Sequence, residues 1–225
     1  MDRKNYGAAM SREAELLTTP EAAVVAGVEV RDVNRLIDEH ILPEELYTKE
    51  ESRRVWAGTC ALIRFYYHAA PSLTAQERKY AIDTLCREAN ATAAVRLIKT
   101  WRTKRPHWKV EHRFLTLNFD RFIADTLAEH EKLTRAYAAV SEDPDILGGT
   151  PVIKGTRVPV HDVAASAAAG VPLTQIKDAY PSLTDELIAL AILYAKATPP
   201  RGRPRQAQML TATAPSRKVA RRRRT

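Results

Sequence analysis

The sequence predicts a mainly α-helical protein. An N-terminal helix-turn-helix domain of winged-helix-like character is expected first. A C-terminal domain of one short β-hairpin plus three helices follows, and then a disordered basic tail. Three observations carry this expectation. Apolar residues recur at helical spacing through much of 17–140 and again from 160 to 197. Glycine and proline crowd the stretch "DPDILGGTPVIKGTRVPVHDV" at 143–163. After Thr198 there is no acidic residue, while nine cations occur.

The elements follow in order. In "LTTPEAAVVAGVEVRDVNRLIDEHILP" (17–43), Thr19 is positioned to cap a helix with Pro20 at its first position and Glu21 near its positive end. Gly27 breaks that helix, and a second is expected from Val30 to His40 with Val33, Leu36 and Ile37 on one face. Two short helices on a tight glycine turn form a helix-turn-helix. Arg31, Asn34 and Arg35 share one face of the second helix, at a spacing that reaches base edges or phosphates. The competing reading is a plain helical hairpin with solvated charges, because Asp32, Asp38 and Glu39 dilute that face. The stretch resembles the start of MerR-type DNA-binding domains, departing from them at Glu29, where the reader helix usually has Ser or Thr.

A long buried helix is expected over 47–70, opened by a Thr48-x-x-Glu51 capping box, with Val55, Trp56, Cys60, Ile63 and Tyr67 inward. Arg53 and Arg54 in this stretch join the DNA-binding candidates. Thr74 and Glu77 form the box of the next helix. Arg102, Lys104 and Arg105 with Pro106 make a basic turn, and Trp108, Val110 and Leu117 give a β-like run. This basic hairpin reads either as a wing on phosphates or as a solvated surface hairpin. A helix capped by Asp120 then connects the domains, with Phe122, Ile123, Leu127 and Tyr137 inward.

The stretch at 143–163 is not a phosphate loop. A Walker loop needs lysine after its last glycine and a helix directly following; here the order is Lys154-Gly155-Thr156, and a strand-like "RVPV" comes next. A β-hairpin fits better: Gly148 and Gly149 turn the chain into Pro151–Ile153, and Gly155 and Thr156 turn it back along Arg157–Val160. Its prolines favour short or edge strands. Three helices follow: about 161–169, then the stretch bounded by Pro172 and Pro181, then 182–197 capped by Ser182 with Leu183, Leu187, Leu190 (or Ile188) and Tyr194 inward. The last is apolar around much of its circumference, which implies burial against another chain and hence a homodimer.

Asp143, Pro144, Gly148, Gly149, Pro151, Ile153, Gly155, Thr156, Arg157, Val160, Gly170, Ile176, Tyr180, Pro181, Leu183 and Thr184 carry a resemblance to the family catalogued as domain of unknown function 433. That resemblance implies a VapB-type antitoxin of a type II toxin-antitoxin system. Such a protein binds a PIN-type ribonuclease toxin and represses its own promoter by binding operator DNA. The alternative is a stand-alone dimeric helix-turn-helix regulator without a toxin. Gly149, Gly155, Thr156 and Arg157 are the structural hairpin residues. Arg157 reads as a lock on the hairpin through Asp143 or a backbone carbonyl, or else as an interface residue.

The formal charge of +8 sits in the tail, leaving residues 1–197 near neutral. Arg201, Arg203 and Arg205 are the tail's candidate contacts. "PRGRP" resembles an AT-hook core that lies in a narrow minor groove. The antitoxin reading offers an acidic toxin site for the same arginines. Bounds of 1–118, 119–138, 139–197 and 198–225 separate the DNA-binding domain, connecting helix, dimerisation domain and tail. Catalytic residues, metal ligands and cofactors are not expected: the six histidines lack ligand spacing and no nucleophile or carboxylate pair stands out. Cys60 and Cys86 read as reduced core residues, and neither a membrane span nor a secretion signal is apparent, so a cytoplasmic location is expected.

Overall fold

The computed structural model describes residues 16–50, 52–88, 108–112 and 115–200. It is mainly helical, with eight α-helices and three small antiparallel sheets among those residues. Strand β1 (Leu16–Thr18) runs into helix α1 (Thr19–Ala26). The cap is Thr18, one residue before the expected Thr19, because Glu21 lies at the box position of Thr18: the two residues bond reciprocally. Gly27 takes a left-handed conformation (φ 69°) and its N–H reaches back to the α1 carbonyls. A Cβ there would meet Arg64 Nη1 at 3.1 Å.

Helix α2 (Val30–Asp38) buries Val33, Leu36 and Ile37. It ends two residues before the expected His40. His40 is itself left-handed (φ 50°), and the N–H groups of Ile41 and Leu42 both turn back to the Leu36 carbonyl.

The expected long helix over 47–70 is corrected. The chain forms β2 (Tyr47–Thr48) and β3 (Arg54–Trp56), and only then α3 (Thr59–His68). The Thr48-x-x-Glu51 pattern misled, since the Thr48 hydroxyl accepts from the Glu50 N–H two residues on and shapes a turn. Val55 alternates with more accessible neighbours at period two and is fully buried between Leu17 of β1 and Tyr47 of β2. The sheet order is β1-β3-β2. Thr74 and Glu77 form the expected box ahead of α4 (Ala75–Glu88).

Residues 92–107, including the basic turn, lie outside the described residues. The hairpin that is described pairs β4 (Lys109–His112) with β5 (Leu115–Asn118). Helix α5 (Asp120–Ala138) follows. Its first N–H is capped by the Asn118 side chain at 2.8 Å, not by Asp120, and buried Phe119 stacks against Phe65 with centroids 4.4 Å apart. The inward face is Ile123, Thr126, His130, Leu133 and Ala136, with Phe122, Leu127 and Tyr137 at its margin.

The expected 151–160 ribbon is shorter than a hairpin. Strand β7 (Val152–Ile153) pairs with β6 (Val140–Ser141) on one edge and makes a single bridge, Val152 to Pro159, on the other. Pro159 has no N–H to extend the ladder, and Val160 already opens α6 (Val160–Ala168). Helices α7 (Leu173–Ala179) and α8 (Asp185–Ala197) complete the fold. Thr184, not Ser182, caps α8, accepting from the Leu187 N–H. Ile188, Ala191, Tyr194 and Ala197 are its buried residues, while Leu187 and Leu190 are only partly covered.

Two apolar cores result. The first joins α1 to α5 with the β1-β3-β2 sheet and the β4-β5 hairpin; the second is formed by α6, α7, α8 and β7 on the end of α5. They interlock, since Ala197 of α8 is buried in the first and Ala136 of α5 in the second. The apolar circumference of α8 meets α6, α5 and α1 of the same chain. No helix among the described residues is long and apolar enough to cross a membrane.

Candidate nucleic-acid interface

Burial of Val33, Leu36 and Ile37 fixes the rotation of α2, and so leaves Arg31 and Arg35 fully outward with Asn34 half-buried beside them. The β2–β3 ribbon stands next to this face. Arg53 bridges the two: its guanidinium holds the Asp38 carboxylate through both nitrogens, at 2.9 and 2.8 Å, and donates to the Asn34 side-chain oxygen at 3.2 Å. Thus Asn34 and Arg53, separated by 19 positions, belong to one cluster. Arg35 pairs with Glu39 at 2.7 Å one turn on, which raises the guanidinium pKa above its ordinary value. Arg31 has no side-chain partner among the described residues. Arg54 occupies the centre of the sheet, opposite Thr18 and Thr48, with its Nε on the Ser52 hydroxyl at 3.3 Å.

The face therefore mixes free and neutralised cations. Exposed pairs of this kind are weak, worth about 0–1 kcal/mol, and exchange readily for a stronger anion. Lys49 extends the ribbon's positive charge, 5.2 Å from the Tyr47 ring centroid; the sequence hides this role, because its residues 47–56 read as helix. The base of α2 is anchored from behind. Tyr67 donates to the Asp32 carbonyl at 3.0 Å, and burial, with Asp32 adding to it, pushes its hydroxyl pKa up to about 12.

A second cluster links this module to the C-terminal one. Glu21 uses one carboxylate oxygen on the Thr18 N–H (2.7 Å) and hydroxyl (2.8 Å), and the other accepts from the Tyr137 hydroxyl. The Tyr137 ring packs edge-on against Tyr194 (centroids 5.4 Å apart), whose hydroxyl donates to Glu142 at 2.8 Å. Spacing along the chain gives no sign of such a link, since 116 positions separate Glu21 from Tyr137.

In the C-terminal hairpin, Gly149 and Gly155 hold positive φ (81° and 77°). Thr156 ties the turn, donating to the Ile153 carbonyl at 2.7 Å and accepting from the Val158 N–H at 3.1 Å. The expected Arg157 lock on Asp143 is absent: Asp143 instead accepts from the Asp145 N–H, and Arg157 is exposed with no partner among the described residues. Arg102, Lys104, Arg105, Arg201, Arg203 and Arg205 lie outside the described residues.

Comparison with known proteins places the C-terminal module first. Residues 140–195, which hold β6, β7 and nearly all of α6 to α8, match the family model described as "Protein of unknown function (DUF433)". The likeness to one relative is wider. Over 219 residues the chain is 46% identical to "Uncharacterized protein y4eO" of Sinorhizobium fredii, spanning 96% of this chain and 98% of that one. The chain belongs to the same family as that protein, with a DUF433 segment near its C-terminal end. No solved structure gives a significant match.

Proposed function

We propose that the protein is a DNA-binding regulator. Its α1–α2 pair acts as a winged helix-turn-helix, with α2 in the major groove and the β2–β3 ribbon as the wing on neighbouring phosphates. The observation that supports this most is the junction of the two elements: Asn34 of α2 and Arg53 beside β3 share one hydrogen-bonded cluster, so that helix and ribbon present a single polar surface. Arg31, Asn34 and Arg35 are the base-reading candidates; Arg53 and Arg54 are phosphate contacts, as Arg102, Lys104 and Arg105 are on sequence alone. Operator binding by a homodimer follows from the two-fold symmetry of most such sites.

The association of this family with VapB-type antitoxins, implied by the sequence resemblance alone, adds a further reading, in which the regulator is also an antitoxin. The C-terminal segment would then hold a PIN-type ribonuclease toxin, with Arg201, Arg203 and Arg205 supplied to its acidic site. The alternative without a toxin leaves the DNA-binding role intact.

The test is binding of the full chain to the DNA upstream of its own gene and to random duplex. Arg31→Ala/Arg35→Ala should remove the preference for the upstream DNA while leaving most of the random binding. Equal loss on both duplexes, or no binding to either, refutes base reading by α2. Co-expression with the neighbouring gene product decides the antitoxin reading: a co-purifying nuclease that is silent in the complex supports it, and a regulator isolated alone refutes it.

A further inference from the structure

An open groove of about 780 Å³ lies where the two modules meet, within the size range of binding sites. Its floor and walls are apolar: Ala23 and Val24 from α1, Val28 from the turn, and Leu193 from α8, with the Tyr67 ring from α3 as a wall. Val30, at its edge, is 38% exposed, unusual for a valine within a helix of this fold. Two carboxylates line the same groove, Glu29 and Asp32 at the first turn of α2. An aromatic wall, an apolar trough and adjacent carboxylates make a surface suited to an extended, proline-rich segment that carries arginines.

The chain supplies such a segment. Lys196 lines the groove one residue before α8 ends at Ala197, and "TPPRGRPR" follows immediately. Arg201 and Arg203 stand four and six residues beyond Ala197. At ~3.1 Å per residue of extended proline-rich chain they reach roughly 12 and 19 Å. A short tether gives effective concentrations on the order of millimolar, so even a contact too weak to detect between separate molecules is substantially occupied.

We propose that this groove is the dock for the protein's own segment Arg201–Arg205. Pro199 and Pro200, both exposed, form the tether; Pro204 lies along Tyr67 and the apolar trough, and Arg201 and Arg203 meet Glu29 and Asp32. The dock holds whichever partner the tail also serves, and does not rest on the DNA or toxin reading. It screens the negative charge at the head of α2, and it makes the tail's availability depend on competition with the body of the same molecule.

The test uses the full chain carrying a nitroxide spin label at Gly202→Cys, the native Cys60 and Cys86 being buried. Amide signals of Ala23, Val28 and Asp32 should broaden, and Arg201→Gln/Arg203→Gln, changes beyond the last helix, should restore them. The variant Glu29→Gln should restore them in part. Raised salt should weaken the broadening as the charge pairing is screened. Absence of broadening, broadening centred elsewhere, or broadening seen only between labelled and unlabelled copies overturns the proposal.

Discussion

Removing the Glu21 side chain tests whether one carboxylate ties the two modules together. Glu21→Ala loses both contacts to Thr18 and the Tyr137 hydroxyl's acceptor. Loss of a helix cap costs about 1 kcal/mol, and a hydrogen bond to a charged group contributes roughly 1.5–3 kcal/mol. Because the site is half-buried and water replaces part of the loss, a total of about 2–4 kcal/mol is expected. For a chain of this size that corresponds to a fall in melting temperature of roughly 5–15 °C. Tyr137→Phe removes only the shared bond and should cost about 1–2 kcal/mol. Urea unfolding of the wild type, both single variants and the double variant closes the cycle. A coupling of at least ~0.5 kcal/mol is expected, with the double variant less destabilised than the sum of the single ones. Hydrogen exchange in 185–197 should quicken in Glu21→Ala, because Tyr137 packs on Tyr194. Additive costs with unchanged protection in α8 would refute the link.

Further outcomes follow from other sites. Asp38→Asn releases Arg53 from its carboxylate partner; the logarithmic salt dependence of DNA affinity should steepen by about 0.9, the value for one added phosphate contact, measured by fluorescence anisotropy across a salt series. Gly27→Ala forces a side chain into left-handed backbone against Arg64 and should cost about 1–3 kcal/mol in denaturant unfolding. Burial lowers the His161 pKa, against the opposing pull of Asp162 and Glu142. The unfolded state therefore binds more protons. Stability should be flat above the ordinary imidazole value of about 6.5, then decline as pH falls through the lowered folded-state value. His161→Gln should flatten that part of the thermal-stability profile.

Much of the helical content was legible because it is written locally. Val33, Leu36 and Ile37 specify the buried face of α2, and Thr74 with Glu77 announces α4 within one turn. The errors arose where local signals were ambiguous. Thr48-x-x-Glu51 has the letters of a capping box, yet Tyr47, Val55 and Trp56 are strong strand formers: β2 pairs with β3 close by, and β3 pairs in turn with β1, far upstream. Likewise, the lock expected from Arg157 onto Asp143 or a backbone carbonyl does not form: the Asp143 carboxylate accepts from the Asp145 N–H two residues on, and Arg157 is exposed. For the candidate interface, Arg31, Asn34 and Arg35 could be set on one face by counting. That Arg53 joins Asn34 required the ribbon to fold back, whereas the Arg35–Glu39 pair, four positions apart on one helix, was open to the same counting.

The last helix has a consequence for how the molecule comes into being. Because α8 packs on α1 and contributes Ala197 to the N-terminal core, that core stays unfinished until nearly the whole chain has left the ribosome. Contacts of such long sequence separation slow folding. Early termination of synthesis, or a protease cut ahead of Asp185, would leave α1 uncovered as well as removing the far end, so a shortened copy could not persist as an intact head.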